Sequence, residues 1–225
     1  MPAIVNSRSA LRQKLRQRRR QLSKPQQRRA AELLCKRLKS QPLFIRSQHI
    51  ALYLPNDGEI DPTPLIRAAW KLGKRCYLPV LQPGQENRLW FIRYNATTPL
   101  IKNRYGIDQP RAHYRQSFPA KRLDLVLMPL VGFDSKGGRM GMGGGFYDRT
   151  FSFKNPTTTK SPASIPSRSC PPYLLGLAHE CQQVEQLTLA SWDIPLSAIA
   201  TDKRLIVTDR TDAQRNFISR HCDAR

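Results

Sequence analysis

Between residues 128 and 149 the chain reads MPLVGFDSKGGRMGMGGGFYDR: an apolar strand pattern runs into glycines 137, 138, 141, 143, 144 and 145. This segment constrains the fold more than any other. Leu125–Val131 is the longest apolar stretch; it contains a proline and suits a buried strand. A glycine-rich loop after such a strand lets the backbone approach a ligand closely and adopt positive φ, so that amides converge on an anion. Phe146–Phe153 is expected to begin a helix whose start adds partial positive charge. Arg139 supplies a guanidinium suited to bidentate phosphate contact, and Asp148 a hard oxygen ligand suited to magnesium. The loop is neither a Walker loop nor a dinucleotide fingerprint near a first strand.

The remaining pattern alternates strands and helices. Leu11, Leu15 and Leu22 mark a basic helical segment, and Ala31, Leu34, Cys35 and Leu38 recur at helical spacing after Ser23 until Pro42 breaks the pattern. His49–Leu54 reads as a buried strand. Asp61 can cap a helix with Pro62 in its first turn, Leu65, Ile66, Ala69 and Leu72 on its apolar face, and Gly73 as its stop. Arg75–Leu81, Leu89–Tyr94, Leu123–Phe133, Leu174–Ala178, Ile194–Ala200 and Leu205–Val207 read as strands, Val184–Ala190 as helix and 95–120 as loop. The pattern predicts an α/β fold, a layered α/β/α single domain over 1–225 with a mostly parallel central sheet. Residues 154–172, rich in Ser, Thr and Pro, are expected to be a flexible insertion.

Charge narrows the ligand class. Lys and Arg number 38 against 16 Asp and Glu, a formal net charge of +22. Such a balance favours anionic partners: nucleic acid, phosphate-bearing ligands, polyanions or an acidic membrane surface. No apolar run approaches the roughly 20 residues of a membrane span. Cysteines 35, 76, 170, 181 and 222 are scattered, with no C-x-x-C pair and no histidine at zinc-ligand spacing, so a disulfide framework and a structural zinc are both disfavoured. A reducing, cytoplasmic setting is expected. The Arg-rich N-terminus, free of acids up to Glu32, has the composition of a transit peptide but no apolar signal core.

The glycine segment resembles the signature of the 5-formyltetrahydrofolate cyclo-ligase (methenyltetrahydrofolate synthetase) family. The residues that carry the likeness are Pro129, Phe133-Asp134, Gly138-Arg139, Gly141, Gly143-Gly144-Gly145 and Phe146-Tyr147-Asp148-Arg149. Other landmarks follow in order: Arg8-Ser9-Ala10-Leu11-Arg12, Leu52-Tyr53-Leu54-Pro55 followed by Glu59-Ile60-Asp61, Lys74 through Pro79, Glu180-Cys181-Gln182 and Trp192-Asp193-Ile194-Pro195. The likeness covers roughly residues 8–207 apart from the insertion. Arg8 stands where the family usually has lysine, and Met140, Met142 and Phe146 where it has leucine, an aromatic or polar residue, and tyrosine.

The resemblance implies the NagB/RpiA/CoA-transferase-like fold and ATP-dependent conversion of 5-formyltetrahydrofolate to 5,10-methenyltetrahydrofolate, ADP and phosphate, through phosphorylation of the formyl oxygen. It implies ATP binding by Arg8, Ser9, Ala10, Leu11 and Arg12 and by Arg139, Met140, Gly141, Met142, Gly143, Gly144, Gly145, Phe146 and Tyr147. It places the folate against Leu54, Glu59 and Met142 through Phe146, and Mg2+ on Asp148 and Asp193. No covalent nucleophile is expected; positioning and charge neutralisation carry phosphoryl transfer. A monomer is expected, with small-molecule substrates, no membrane, and non-specific polyanion binding as a side property. The alternative is a basic nucleotide- or nucleic-acid-binding relative without cyclo-ligase activity; against it, no nucleic-acid motif appears and no aromatics interleave the 13 basic residues of 1–39. The transit-peptide reading loses ground, because cleavage there would remove Arg8 and Arg12.

Overall fold

The structure is a computed structural model and describes residues 8–85, 87–111, 114–154 and 172–208. The insertion expected at 154–172 lies, apart from its two end residues, outside them, as do Cys170 and Cys222. Three helices come first: α1 (Arg8–Arg20), α2 (Lys24–Lys39) and α3 (Pro42–Arg46). Ser23 caps α2 reciprocally with Gln26, each side chain taking the other's backbone amide. Pro42 ends no helix interior; it opens α3, where its missing N–H costs nothing. Leu22 falls beyond α1.

Next come β1 (His49–Ala51), α4 (Thr63–Lys71), β2 (Arg75–Leu81) and β3 (Leu89–Tyr94). The strand read over 49–54 pairs only as far as Ala51, although the Leu52 amide still bonds the Tyr77 carbonyl at 2.9 Å. Pro62, expected in the first turn, is itself the N-cap; Asp61 stands one residue earlier and accepts from the Thr63 amide at 2.8 Å, and Gly73, at φ +69°, lies just past the helix. Leu72, expected on the apolar face, is 57% exposed because α4 ends at Lys71.

Residues 95–120, read as loop, contain β4 (Leu100–Lys102), β5 (Asp108–Pro110) and β6 (Ser117–Phe118). These strands are two or three residues long, and β4 is exposed throughout, so they show no alternation to read. Then follow β7 (Leu125–Pro129), the β8 (Gly132–Phe133) and β9 (Arg139–Met140) hairpin, α5 (Phe146–Thr150), β10 (Tyr173–Leu177), β11 (Ala198–Ala200) and β12 (Leu205–Val207). Residues 184–190 are irregular, not helical. Their amides are engaged by the turn after β8: Val184 N bonds Phe133 O at 2.9 Å and Leu187 N bonds Asp134 Oδ2 at 3.0 Å.

The eight-stranded sheet has the order β12-β11-β10-β7-β1-β2-β3-β6. Its middle, β11-β10-β7-β1-β2, is parallel, and β12, β3 and β6 join antiparallel at the edges. One face packs Ile50, Leu52, Leu125 and Leu175 against Leu34 and Leu38 of α2, Phe44 of α3 and Leu65 and Ala69 of α4. The other packs Ala51, Phe91, Val126 and Met128 against Phe133 and Phe151. In a third cluster Leu15 of α1 meets Val131, Met140 and Leu187. Thus α1 sits on the β8–β9 hairpin, at the carboxyl ends of the parallel strands, where open α/β sheets present their ligand crevice. Gly132 permits this closeness: a Cβ there would collide with Leu15 Cδ1.

Candidate functional site

Arg8, Arg12, Arg16 and Arg19 recur at four- and three-residue steps and share one face of α1. Each reaches backbone or an acid of a loop, and Arg16 and Arg19 share Asp57. Arg8 Nη2 pairs with Asp193 Oδ2 at 3.1 Å, and Arg12 Nε donates to the Gly141 carbonyl at 2.8 Å. Arg16 Nε donates to Asp57 Oδ2 at 2.7 Å. Arg19, with no exposed surface, donates to Leu130 O at 3.0 Å, to Asp57 O at 2.8 Å and to Asp57 Oδ2 at 2.9 Å. Arg20 adds a further pair to Asp57. The helix therefore fastens three loops together: 56–59, the glycine loop and 190–193.

The glycine loop faces Arg12. Gly143 has φ +98°, and a Cβ there would stand 3.5 Å from the Arg12 guanidinium carbon. Burial and the charges of Arg8 and Arg16 lower the pKa of Arg12, an electropositive setting that a bound anion would relieve. Gly141 and Gly144 are half-buried and Met142 is 50% exposed; Gly145 caps α5 at φ +67°. Ser9 and Ala10 are exposed beside Arg8, and Leu11 packs near Leu15.

Below the loop, Arg139 is buried. Its Nε donates to Ile194 O at 2.9 Å and its Nη2 pairs with Asp148 Oδ1. The same Asp148 oxygen accepts from Ile194 N at 3.1 Å. Met140 is buried beside it. Asp193 Oδ2 accepts from Ala190 N at 2.8 Å as well as from Arg8. Asp134, 2% exposed, takes the amides of Lys136, Gly138 and Leu187, and Gln182 donates to Leu130 O and Val131 O. Arg139 is thus committed to holding Asp148 and residue 194, more than a free phosphate ligand would be.

Glu59 lies across the site. Its side chain is 11% exposed, 3.7 Å from Arg19, and its Oε2 accepts from Asn56 N at 3.2 Å. Burial pushes its carboxyl up to about 7, outweighing the attraction of Arg19. Asp57, beside it, goes the other way: hydrogen bonds from Arg16, Arg20 and Arg19 overcome burial and hold it at about 2. Asp57 has φ +53°, a left-handed conformation these bonds offset. Tyr53 is buried and Tyr147 half-buried near Glu59, and desolvation followed by the Glu59 charge raises both phenols. Tyr53 donates to Ile60 O at 2.6 Å, and Leu54 is half-buried at the entrance to the 56–59 loop. Beyond Phe146, a cleft of about 490 Å3 is lined by Gln82, Arg88, Asn103, Arg104 and Gln109. Tyr105 meets the edge of Phe146 with centroids 6.0 Å apart.

Hydrogen bonds and ion pairs thus join α1 to Asp57, Gly141 and Asp193, while Met140 and Leu11, also singled out from sequence, pack with Leu15 in the core. Arg16, Arg19 and Asp57, by contrast, join the site without having been singled out, and Asp134 and Gln182, read from sequence only as landmarks of the likeness, hold its loops. The signal for the arginines is present in the chain: a basic row at 8, 12, 16 and 19 describes one helical face, too regular to be merely solvated.

The chain matches the 5-formyltetrahydrofolate cyclo-ligase family over residues 4–202. It is 39% identical to the Escherichia coli 5-formyltetrahydrofolate cyclo-ligase over 191 residues, covering 85% of this chain and 98% of that one. It is 42% identical to the Haemophilus influenzae 5-formyltetrahydrofolate cyclo-ligase over 151 residues, 67% of this chain and 74% of that one. Among solved structures, the Aquifex aeolicus 5,10-methenyltetrahydrofolate synthetase superposes with a TM-score of 0.72 at 28% identity, covering 97% of this chain and 99% of that one.

Proposed function

The chain belongs to the 5-formyltetrahydrofolate cyclo-ligase family, and from that premise we propose how its residues divide the work. The activity is ATP-dependent closure of 5-formyltetrahydrofolate to 5,10-methenyltetrahydrofolate (EC 6.3.3.2), which sets aside the reading as an inactive nucleic-acid-binding relative. The observation that carries the assignment of roles is the meeting of two unlike environments. An arginine-lined glycine loop stands on one side, and a buried carboxyl raised to about 7 on the other.

In this reading the formyl oxygen attacks the γ-phosphorus of ATP, ADP leaves, and the oxygen becomes part of a good leaving group. Nitrogen 10 then attacks the formyl carbon and loses its proton, and inorganic phosphate departs with that oxygen. The triphosphate lies along Arg8, Arg12 and the Arg139–Tyr147 loop, where Gly143 keeps the path to the Arg12 guanidinium free of a side chain. Ser9, Ala10 and Leu11 line the same edge. The pterin edge donates to Glu59, with Leu54 and residues 142–146 against the ring. An exposed Met142 and half-buried Phe146 can border both substrates. Arg139 acts chiefly by position, holding Asp148 under the loop.

Magnesium is proposed at Asp148 and Asp193. Each uses one oxygen within the protein, Oδ1 of Asp148 and Oδ2 of Asp193, and keeps the other without a hydrogen bond among the described residues. No cluster of three His, Cys, Asp or Glu that could hold a metal occurs among those residues. This donor set fits Mg2+, which takes one or two carboxylates with substrate phosphates and water rather than a protein cage. Bound there, the ion would supply charge neutralisation of the triphosphate.

Supply 5-formyltetrahydrofolate with an 18O-labelled formyl oxygen and analyse the phosphate released in one turnover. Label in inorganic phosphate is expected. Label in water would refute phosphorylation of the formyl oxygen.

A further inference from the structure

The substrate loops leave the carboxyl ends of β7 and β1. His49 and Arg75 begin β1 and β2, so the opposite end of the sheet has no part in that site. Strand register places His49 beside Arg75, Tyr77 beside Arg93 and Phe91 beside Phe118. Alternate residues of a strand share a face, so His49, Arg75, Tyr77, Arg93 and Phe118 all stand on one side of the sheet. Further along, that face is buried by Phe91, Val126 and Phe151. At this corner it meets solvent.

The aromatic groups there form a stack. Phe118 lies parallel to His49 at 4.5 Å and 8°, and over Tyr77 at 4.6 Å and 29°. His49 Nδ1 and the Tyr77 hydroxyl are hydrogen-bonded at 2.8 Å, which fixes the two rings beneath Phe118. The Arg122 guanidinium lies over the Phe118 ring, 5.5 Å from its centroid, a stacking contact that a flat base could take over. Arg75, Arg93, Lys121 and Arg122 are exposed, and none has an ion-pair partner among the described residues. The acid facing this corner is Asp124, whose Oδ2 is taken up by the amides of Gln48 and His49 at 2.8 and 2.7 Å. Burial and the charges of Arg75, Arg122 and Arg93, against Asp124, push the His49 pKa down. The stack therefore presents neutral rings inside a ring of cations.

We propose that this corner binds single-stranded nucleic acid, with phosphates on Arg75, Arg93 and Arg122 and a base packed over Phe118. Cations around a preformed aromatic platform are what sequence-tolerant single-strand binding requires. An acidic peptide would use the arginines but leave the stack without a partner. A duplex is read by a helix or ribbon entering a groove, and this corner is the β6 edge of the sheet, with no α-helix among the described residues projecting from its aromatic stack. The site is invisible in sequence because its members are spread from 49 to 122. It also gives part of the +22 charge a use unconnected with the folate reaction.

The test is fluorescence anisotropy of a labelled 12-nucleotide oligoadenylate RNA with the full chain. The triple variant Arg75→Gln/Arg93→Gln/Arg122→Gln should weaken binding at least tenfold and flatten the salt dependence by about 2, near 0.7 for each phosphate no longer neutralised. A charge-matched control on exposed α2 positions, Arg28→Gln/Arg29→Gln/Lys36→Gln, should weaken it less than threefold. Phe118→Leu should weaken RNA binding at least threefold and leave polyphosphate binding unchanged, and Phe118→Tyr should restore the RNA affinity. Cyclo-ligase turnover reports whether each variant folds. Should the triple variant not fold, photocrosslinking of a 4-thiouridine oligomer to the unmodified protein replaces it: crosslinks within 75–93 or 115–122 support the site, and crosslinks confined to α1 and α2 overturn it. Absence of RNA binding, equal losses in the two triple variants, or equal loss of RNA and polyphosphate binding in Phe118→Leu would each overturn the proposal.

Discussion

Replacing Glu59 by glutamine should make the substrate-free protein more stable while making it a worse enzyme. The wild-type carboxyl rises from 4.5 to about 7 because burial outweighs its pairing with Arg19. An acid whose folded pKa is raised favours the native state below about pH 4.5, and that contribution is lost as pH rises through about 7. At about 1.36 kcal/mol per tenfold change in proton affinity, the ionised Glu59 costs the folded state at most about 3 kcal/mol at pH 8 and under about 1 at pH 5. Glutamine has nearly the same shape and carries no charge, so Glu59→Gln removes the cost. For a chain of this size about 1 kcal/mol moves the midpoint by about 2–4 °C. Thermal unfolding should therefore show a gain of up to about 6–12 °C at pH 8 that shrinks at pH 5. Folate binding should fall by about 1–3 kcal/mol, roughly tenfold or more, since an amide accepts with one oxygen and offers an N–H where the pterin also donates. ATP affinity should change little. An equal midpoint change at both pH values, or a lower midpoint at pH 8 with normal folate affinity, would refute the reasoning and make Glu59 a structural acid.

Asp57→Asn should destabilise by about 2 kcal/mol near neutral pH and raise the KM for folate by loosening the loop that carries Glu59. Because Asp57 is held at about 2, its contribution is present above pH 3.8 and lost as pH falls toward 2, so the two unfolding midpoints should converge there. Gly143→Ala puts a Cβ at φ +98°, 3.5 Å from the Arg12 guanidinium; the KM for ATP should rise at least tenfold with a stability loss of about 1–3 kcal/mol, read from steady-state kinetics and denaturant titration. Excess chelator should abolish turnover and added magnesium restore it; an undiminished rate would remove Asp148 and Asp193 from the metal assignment. Exchanging residues 155–171 for a short linker should leave rate and midpoint largely intact, because buried Lys154 already reaches the Pro172 carbonyl at 3.0 Å and holds the two ends together.

The central parallel strands are legible in the sequence because they are buried and carry long apolar runs, as in Leu125–Pro129 and Tyr173–Leu177. α2 is legible from its period and its Ser23 cap. Pattern reading fails where tertiary contacts replace local regularity. The 184–190 stretch has apolar residues at helical spacing, yet its amides are spent on Phe133 and Asp134. The β4–β5 hairpin has three residues a strand, with Leu100 and Ile101 exposed and Gln109 and Pro110 buried, so nothing periodic marks it. In the site, the glycine loop and Glu59 can be read from the family likeness. The inward turn of Arg139 and the convergence of three arginines on Asp57 cannot: the spacing of the basic row marks a helical face, but a side chain's partner at long range in the chain leaves no local trace. Arg19, the most buried of them, looks in sequence like its solvated neighbours Arg18 and Arg20.

The most direct measurement mixes the purified full chain with 5-formyltetrahydrofolate and ATP in magnesium buffer and follows methenyl absorbance and ADP in the same sample. Both should rise together, one to one, and neither should rise when ATP or the folate is omitted. ADP formed without the methenyl product, or tight binding of both substrates with no turnover, would contradict the account of a site built to join an arginine-lined phosphate loop to the Glu59 pocket.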